Sequence, residues 1–265
     1  MWHLINNLNG TPSTNCPNET LIHNGKSYSN DRSKANIFAN YYAGVSSINF
    51  TKEDREVNRD LKKRLRSEDP EPVEPFTMKE LNKAIKKMKT KGAAGPDEIP
   101  PSFIKNFGPR TLEKLLEIFN ISLNNGACPQ VWRNAIIIPL LKANKPASNL
   151  ESFRPISLTS CIVKVMERIL GERLYYHAEQ QGMLSSIQAG FRKKRSCEDQ
   201  ILKMTQAITD GFQSGGRSSR KPLHSVLVLL DFSKAYDTAW RQKLLTSLLD
   251  KGMPKTYVKW LHGFL

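Results

Sequence analysis

The chain has 265 residues and carries 40 Lys and Arg against 25 Asp and Glu, a formal net charge of +15 with a pI near 9.7. That length holds one large domain or two small ones, and the charge calls for a polyanionic partner: nucleic acid or an anionic membrane surface, with a soluble protein bearing a basic face as the plainer alternative. Cys16, Cys128, Cys161 and Cys197 are far apart and the histidines are scattered, which argues against a disulfide framework and a zinc site.

No signal peptide or 18-residue apolar run is visible, so the expectation is an intracellular chain that does not span a membrane. Basic residues recur throughout, as in Lys62-Lys63-Arg64, Lys86-Lys87-Met88-Lys89 and Arg192-Lys193-Lys194-Arg195. A groove lined from several segments fits that distribution better than a basic tail.

Residues 1–30 are rich in Asn, Thr, Ser and Gly and read as a linker or as the tail of something upstream. From Asp31 a helical pattern places Ala35, Ile37, Phe38, Tyr41, Tyr42 and Val45 on one face. Residues 51–76 are charged and end in Pro70, Pro72 and Pro75, which reads as an exposed connection. Thr77 and Glu80 form a capping box, with Phe76 and Leu81 placed as a hydrophobic staple, ahead of a basic helix expected to end near Lys91.

Gly92 to Pro100 is a glycine-rich turn leading into helices over about residues 101–107 and 111–124. Its spacing is that of neither a P-loop nor a dinucleotide site. Ala135–Leu141 reads as a strand whose Pro139 places it at an edge or bulge, and Phe153–Leu158 returns as a second. A hairpin of the two brings Lys142 near Arg154, a repulsive pair unless an anion such as a triphosphate lies between them. Two solvated surface charges are the alternative.

Helices follow from Cys161 to Tyr176, from Cys197 to Phe212 and from Leu244 to Leu249, with an apolar segment over Tyr257–Leu265. A flexible turn is expected at Gly215-Gly216. Val226 to Leu230 is an unbroken apolar run that reads as a strand buried on both faces, a short buried helix being the alternative. Asp231 stands at its carboxyl end. A carboxylate there is costly to desolvate, so it reads either as a helix cap or as a metal ligand in a cleft.

The order Gly95-Pro96-Asp97, Ile138-Pro-Leu-Leu-Lys142, Phe153-Arg-Pro-Ile-Ser-Leu158 with Lys164 and Glu167-Arg168, Gln188-Ala-Gly-Phe-Arg192 and Leu230-Asp-Phe-Ser-Lys-Ala-Tyr-Asp237 resembles the reverse transcriptase of non-LTR (LINE-type, jockey-like) retrotransposons. The resemblance implies an α+β fold: the fingers and the start of the palm of a right-hand polymerase, helix-rich with short strands. It divides the chain into a connector and helix over 1–50, a charged Pro-rich linker over 51–76, fingers over 77–223 and a partial palm over 224–265. By the same resemblance Asp231 is the first catalytic aspartate, binding Mg2+ (or Mn2+) with the Phe232 backbone carbonyl. Ser233, Lys234 and Ala235 lie beneath the nucleotide, Tyr236 is the steric gate against a ribose 2′-hydroxyl, and Lys142 and Arg154 grip the triphosphate. Gln188 and Arg192, with the neighbouring Lys193, Lys194 and Arg195, face the template. Asp237 caps a helix from about Thr238.

The implied partners are an RNA template, a DNA primer or target and dNTPs, and the implied compartment is the nucleus; the oligomeric state is not readable. The family's second carboxylate pair and a Pro-Gln-Gly segment are expected beyond Leu265, so these residues alone are expected not to polymerise. The rival readings are a non-catalytic basic nucleic-acid-binding remnant, a phosphotransferase using Asp97 or Glu198 beside Asp231, and a degenerate copy of a mobile element.

Overall fold

An Asn-Gly pair shapes the first element. Asn24 and Gly25 have φ of 49° and 72°, the left-handed conformation that a two-residue hairpin turn demands. They join β1 (Leu21–His23) to an antiparallel β2 (Lys26–Tyr28). Part of the expected linker is therefore ordered, and the signal lay in two residues with few apolar neighbours.

The structure, a computed structural model, describes residues 20–47, 50–66, 72–214 and 225–265. The turn expected at Gly215-Gly216 and the reading of residues 1–19 lie outside these. The chain divides into two compact units, Met1–His177 with Tyr236–Leu265, and Ala178–Ala235.

In the first unit α1 (Asp31–Ser46) begins where the Asn30 side chain accepts a hydrogen bond from Ser33 N at 3.0 Å. Its Phe38 is buried with Leu21 and Leu150, and the Phe38 ring meets Phe153 edge-on at 4.9 Å. Ile22 N donates to Ser148 O at 2.8 Å. These contacts fasten the N-terminal elements to the loop and strand that carry Arg154.

Residues 52–66 are not an exposed connection. They form α2 (Lys52–Arg66), with Leu61 and Leu65 buried. Thr51 and Asp54 cap it reciprocally, Thr51 N donating to Asp54 Oδ2 at 2.8 Å and Asp54 N to Thr51 Oγ1 at 3.2 Å. Acidic residues sit in the first turn and basic ones in the last, as the helix dipole favours. The apolar stripe is one residue wide (Val57, Leu61, Leu65), which let the charges obscure it.

The Thr77–Glu80 capping box forms as expected and starts α3 (Met78–Lys86). The helix stops five residues before Lys91. Met88 N turns back to Ile85 O at 3.0 Å, and this tightened turn buries Met88. Next come α4 (Pro101–Lys105), α5 (Pro109–Asn125) and α6 (Gln130–Arg133), with α4 and α5 packing on α3.

β3 (Ala135–Leu141) and β4 (Phe153–Thr159) pair antiparallel, Leu140 opposite Arg154 and Pro139 opposite Pro155. Each proline sits on a strand with a single partner, where its missing N–H costs no ladder bond. α7 (Cys161–Gln180) buries Val163, Val165, Met166, Ile169 and Leu170. The unit closes with α9 (Arg241–Asp250) and α10 (Lys255–Phe264), after α8 (Cys197–Ser214) of the second unit. α2 packs on α9, α9 on α10, and α10 on α5.

Two clamps from α7 hold α3. Arg173 donates to both oxygens of Glu80 at 2.7 and 2.8 Å and to Pro75 O at 2.8 Å, with its guanidinium 4.8 Å from the Phe76 ring centroid. Glu172 accepts from Lys83 Nζ at 2.7 Å and also from Lys87. Lys83, then Lys87, hold the Glu172 carboxyl down at about 2. A depressed folded pKa contributes stability that is complete above the unfolded value and lost as pH falls toward the folded one. We expect wild-type stability to fall between pH 4.5 and about 2 with a component that Glu172→Gln removes, read from urea midpoints across that range.

In the second unit α8 starts with its own box, Ser196 N to Asp199 Oδ2 at 3.0 Å and Asp199 N to Ser196 Oγ at 3.1 Å. The expected helix forms, but its apolar positions Ile201 and Met204 are exposed.

Candidate nucleic-acid interface

The β3–β4 hairpin carries the first pair of candidate residues. Lys142 N donates to Ser152 O at 2.8 Å, extending the ladder one residue past Leu141. Because side chains alternate along a strand, Lys142 and Arg154 share one face at diagonal positions, about 7–8 Å apart at Cα. Arg154 is exposed, whereas Lys142 is half-buried and its ammonium donates to Glu151 O at 2.6 Å. The hairpin read from the sequence is thus present, with two cations side by side on it.

Gly95 seats this hairpin. A Cβ there would lie 2.5 Å from Thr159 C and 2.6 Å from Thr159 O and Ser160 N. The Gly95-Pro96-Asp97-Glu98 turn, closed by Glu98 N to Gly95 O at 3.0 Å, therefore packs directly on the end of β4. Its glycine serves backbone contact. No dedicated phosphate cradle is needed to explain it.

Beside this junction is a cavity of about 490 Å³. Met88, Leu140, Ile156 and Leu158 give it apolar walls, and Lys87, Lys89, Lys91, Lys164 and Arg168 line it with positive charge. Arg168 donates to Ala84 O at 2.9 Å and Lys87 pairs with Glu172, while Lys89 and Lys91 are exposed. Burial raises the Glu167 carboxyl above its ordinary value, against the lowering effect of Lys164 and Arg168. Its Oε1 is buried without a partner.

In the second unit Gln188, Arg192 and Arg195 hold the loop that contains them. Arg192 grips Glu179 through Nε at 2.9 Å and Nη2 at 2.5 Å, and its Nη1 donates to Ser185 O at 2.7 Å. Its side chain is 9% exposed. This guanidinium clamps the loop to Glu179. Gln188 Nε2 reaches Gly190 O at 3.4 Å and Arg195 Nη1 reaches Ser186 O at 2.5 Å. Lys193 and Lys194 are exposed, the latter at φ 59°. Lys194, Arg195 and Lys203 line an open cavity of about 560 Å³ with Asp199 and Gln200.

The Asp231 segment departs from expectation. Ser225–Leu230 is neither strand nor helix, and Val226 to Leu230 are 57–88% exposed. A strand buried on both faces needs neighbours at both edges, and among the described residues the only sheets are β1–β2 and β3–β4. Asp231 is exposed, as is Phe232, and Ser233 to Thr238 follow as turns with Lys234 at φ 54°. Tyr236 is exposed too. Asp237 does not cap a helix from Thr238: α9 begins at Arg241 behind Trp240, with no side-chain cap.

Asp231 and the Phe232 carbonyl offer the hard oxygen donors that a magnesium-type cation prefers. Among the described residues, however, no group of three or more His, Cys, Asp or Glu side chains could hold a metal ion. These donors alone do not make a two-metal site. No described helix is long and apolar enough to cross a membrane.

Residues 142–265, from the hairpin lysine onward, match the family model for reverse transcriptase (RNA-dependent DNA polymerase). The chain aligns over its whole length with the "Probable RNA-directed DNA polymerase from transposon BS" of Drosophila melanogaster, at 27% identity. These matches support a LINE-type reverse transcriptase. Further relatives are the RNA-directed DNA polymerase from mobile element jockey of Drosophila melanogaster, 27% identical over 71% of this chain, and the Pol polyprotein from type-1 retrotransposable element R2 of Nasonia vitripennis, 24% identical over 77%. The chain spans 28%, 20% and 18% of the length of these three proteins. Lys142, Arg154, the Gln188–Arg195 loop and Asp231–Tyr236 all fall inside the reverse transcriptase match, whereas α1 to α6 lie outside it.

Proposed function

We propose that these residues are the nucleotide- and template-facing part of an RNA-directed DNA polymerase that adds dNTPs to a DNA primer 3′-hydroxyl. The observation that carries the reading is the Lys142–Arg154 pair, two cations on one face of a hairpin inside the reverse transcriptase match. An anionic triphosphate between them relieves their repulsion and uses the fork geometry of arginine. In this reading residues 77–223 serve as fingers and 224–265 as the start of the palm. Asp231 and the Phe232 carbonyl are the part of a Mg2+ or Mn2+ site present in this chain, and a bound metal would lower the charge cost of phosphoryl transfer. Ser233, Lys234 and Ala235 underlie the nucleotide, and Tyr236 excludes the ribose 2′-hydroxyl. Gln188, Lys193, Lys194 and Arg195 border the template, with Arg192 holding their loop. The nucleus is the compartment in which such an enzyme meets chromosomal DNA.

A second reading has a specific observation behind it: no described carboxylate cluster accompanies Asp231. The 265-residue chain is then a binding segment without chemistry of its own. Both readings are tested on a DNA primer annealed to RNA. We expect the chain to bind this hybrid with an affinity that Asp231→Asn leaves unchanged, and to extend no primer. Carried within a protein of its relatives' full length, Asp231→Asn should lower extension at least about 100-fold. In the same protein Arg154→Gln should raise the KM for dNTP about tenfold or more, the loss of one charged hydrogen bond. Wild-type extension by the full-length Asp231→Asn protein would refute the assignment.

A further inference from the structure

The charges of α2 are sorted by face. On a helix of 3.6 residues per turn, Lys52, Arg55, Arg59, Lys62, Lys63 and Arg66 fall within an arc of about 100°, and the helix carries them over about 21 Å. All six are exposed. Leu61 and Leu65, the buried residues, face the other way. Among the acids, Asp54 is used in the cap, Glu53 and Glu56 fall outside the arc (Glu56 at its border, about 20° from Lys63), and Asp60 lies 3.7 Å from Arg64, a cation outside the arc. Arg64 also bonds Asp250 of α9 at 2.7 Å, which pins the helix to the unit. Among the described residues none of the six has an ion-pair partner. An ordinary solvated helix mixes signs at i,i+4 spacing; here the cations form a single-sign stripe.

We propose that α2 lays this stripe along the phosphate backbone of duplex DNA, using none of the nucleotidyl-transfer residues. A duplex carries about one phosphate charge per 1.7 Å of its axis on a stiff, regular rod. A rigid single-sign stripe suits such a polyanion. Single strands are held on stacking platforms, and no aromatic or apolar side chain lies within the arc. An anionic membrane takes an amphipathic helix by its apolar face, and that face of α2 is committed to α9. An RNA duplex presents the same charge in a different groove geometry, and tighter binding to it than to duplex DNA overturns the proposal. The contact is therefore electrostatic and independent of base sequence.

The test is fluorescence anisotropy of the whole chain with a labelled duplex DNA of about 20 base pairs, titrated at several salt concentrations. The stripe variant is Arg55→Gln/Arg59→Gln/Lys62→Gln. A charge-matched control is Lys79→Gln/Arg110→Gln/Lys251→Gln, three exposed cations on other elements. Gln is a good helix former, so circular dichroism should match wild type for both. We expect the stripe variant to bind at least about tenfold more weakly at low salt, with the slope of log affinity against log salt reduced by about 2–3. The control should change the slope by less than about 1. Arg55→Lys/Arg59→Lys, which keeps the charge, should bind as wild type does. An equal loss from the control, undiminished binding by the stripe variant, or a loss seen only on single strands or anionic vesicles overturns the proposal. The measurement uses neither dNTP nor metal, so its outcome and that of the polymerase reading are separable.

Discussion

Gly95→Ala should destabilise the chain by about 3 kcal/mol. The added Cβ would sit 2.5 Å from Thr159 C and 2.6 Å from Ser160 N. These are backbone atoms, so no flexible side chain can swing aside to make room. Thr159 ends β4, and Ser160 is buried at the start of α7, where its Oγ accepts from Ile162 N at 3.1 Å and its carbonyl from Lys164 N. Making room for the methyl means moving the hairpin off α7 or unwinding the Gly95–Glu98 turn. Either shift moves Lys142 and Arg154, so nucleotide affinity should fall along with stability. Gly44→Ala is the matched comparison: it lies in α1, nothing stands within 4 Å of its added Cβ, and it should stabilise by about 0.5–1 kcal/mol. Urea unfolding of the two variants checks both signs. A wild-type midpoint for Gly95→Ala would show that the turn yields freely.

What the sequence revealed followed from how much of each element's signal is local. α1, α3, α5 and α7 combine an apolar face with a cap or a proline start, and all were legible. So was the β3–β4 hairpin, because two apolar runs flank a short polar loop and each proline sits where an edge strand tolerates it. β1–β2 and α2 were missed for opposite reasons. In the former two turn residues carry the signal without an apolar run, and in the latter a stripe one residue wide is surrounded by charge. Both are stabilised by partners far along the chain, Ser148 for β1 and Asp250 for α2, which local periodicity cannot register.

The candidate site was legible as chemistry more than as geometry. The motif order marked Lys142, Arg154 and Asp231, but residue types do not say where a guanidinium spends its donors. Arg192 reads as a nucleic-acid contact until its bidentate bond to Glu179 is seen, and Lys142 as a free ammonium until Glu151 O is placed beside it. The Val226–Leu230 run shows the limit from the other side. An apolar run states a demand for burial, and strand formation depends on a neighbour supplying hydrogen bonds, which no described strand does here.

Trp260→Ala should cost about 3–5 kcal/mol. Trp260 is 1% exposed, stacks on Phe264 at 5.2 Å, and donates from Nε1 to Ser122 Oγ at 2.9 Å. Ser122 in turn donates to Ala127 O at 2.6 Å, beyond the Gly126 end of α5. Truncating the indole empties the largest fully buried side chain of the unit and leaves the hydroxyl's acceptor face without a donor. Trp260→Phe separates the two effects by keeping most of the apolar volume. Its coupling with Ser122→Ala in a double-mutant cycle should be about 1 kcal/mol, the worth of the hydrogen bond. Val131→Ala, at a 65% exposed position, should stay within about 0.5 kcal/mol of wild type. Because α10 packs on α5, α9 on α10 and α2 on α9, Trp260 also supports the helix that bears the cationic stripe. Trp260→Ala should therefore lose duplex DNA in proportion to its unfolded fraction, while the stripe variant loses it fully folded. Anisotropy and circular dichroism followed on the same samples tell the two apart.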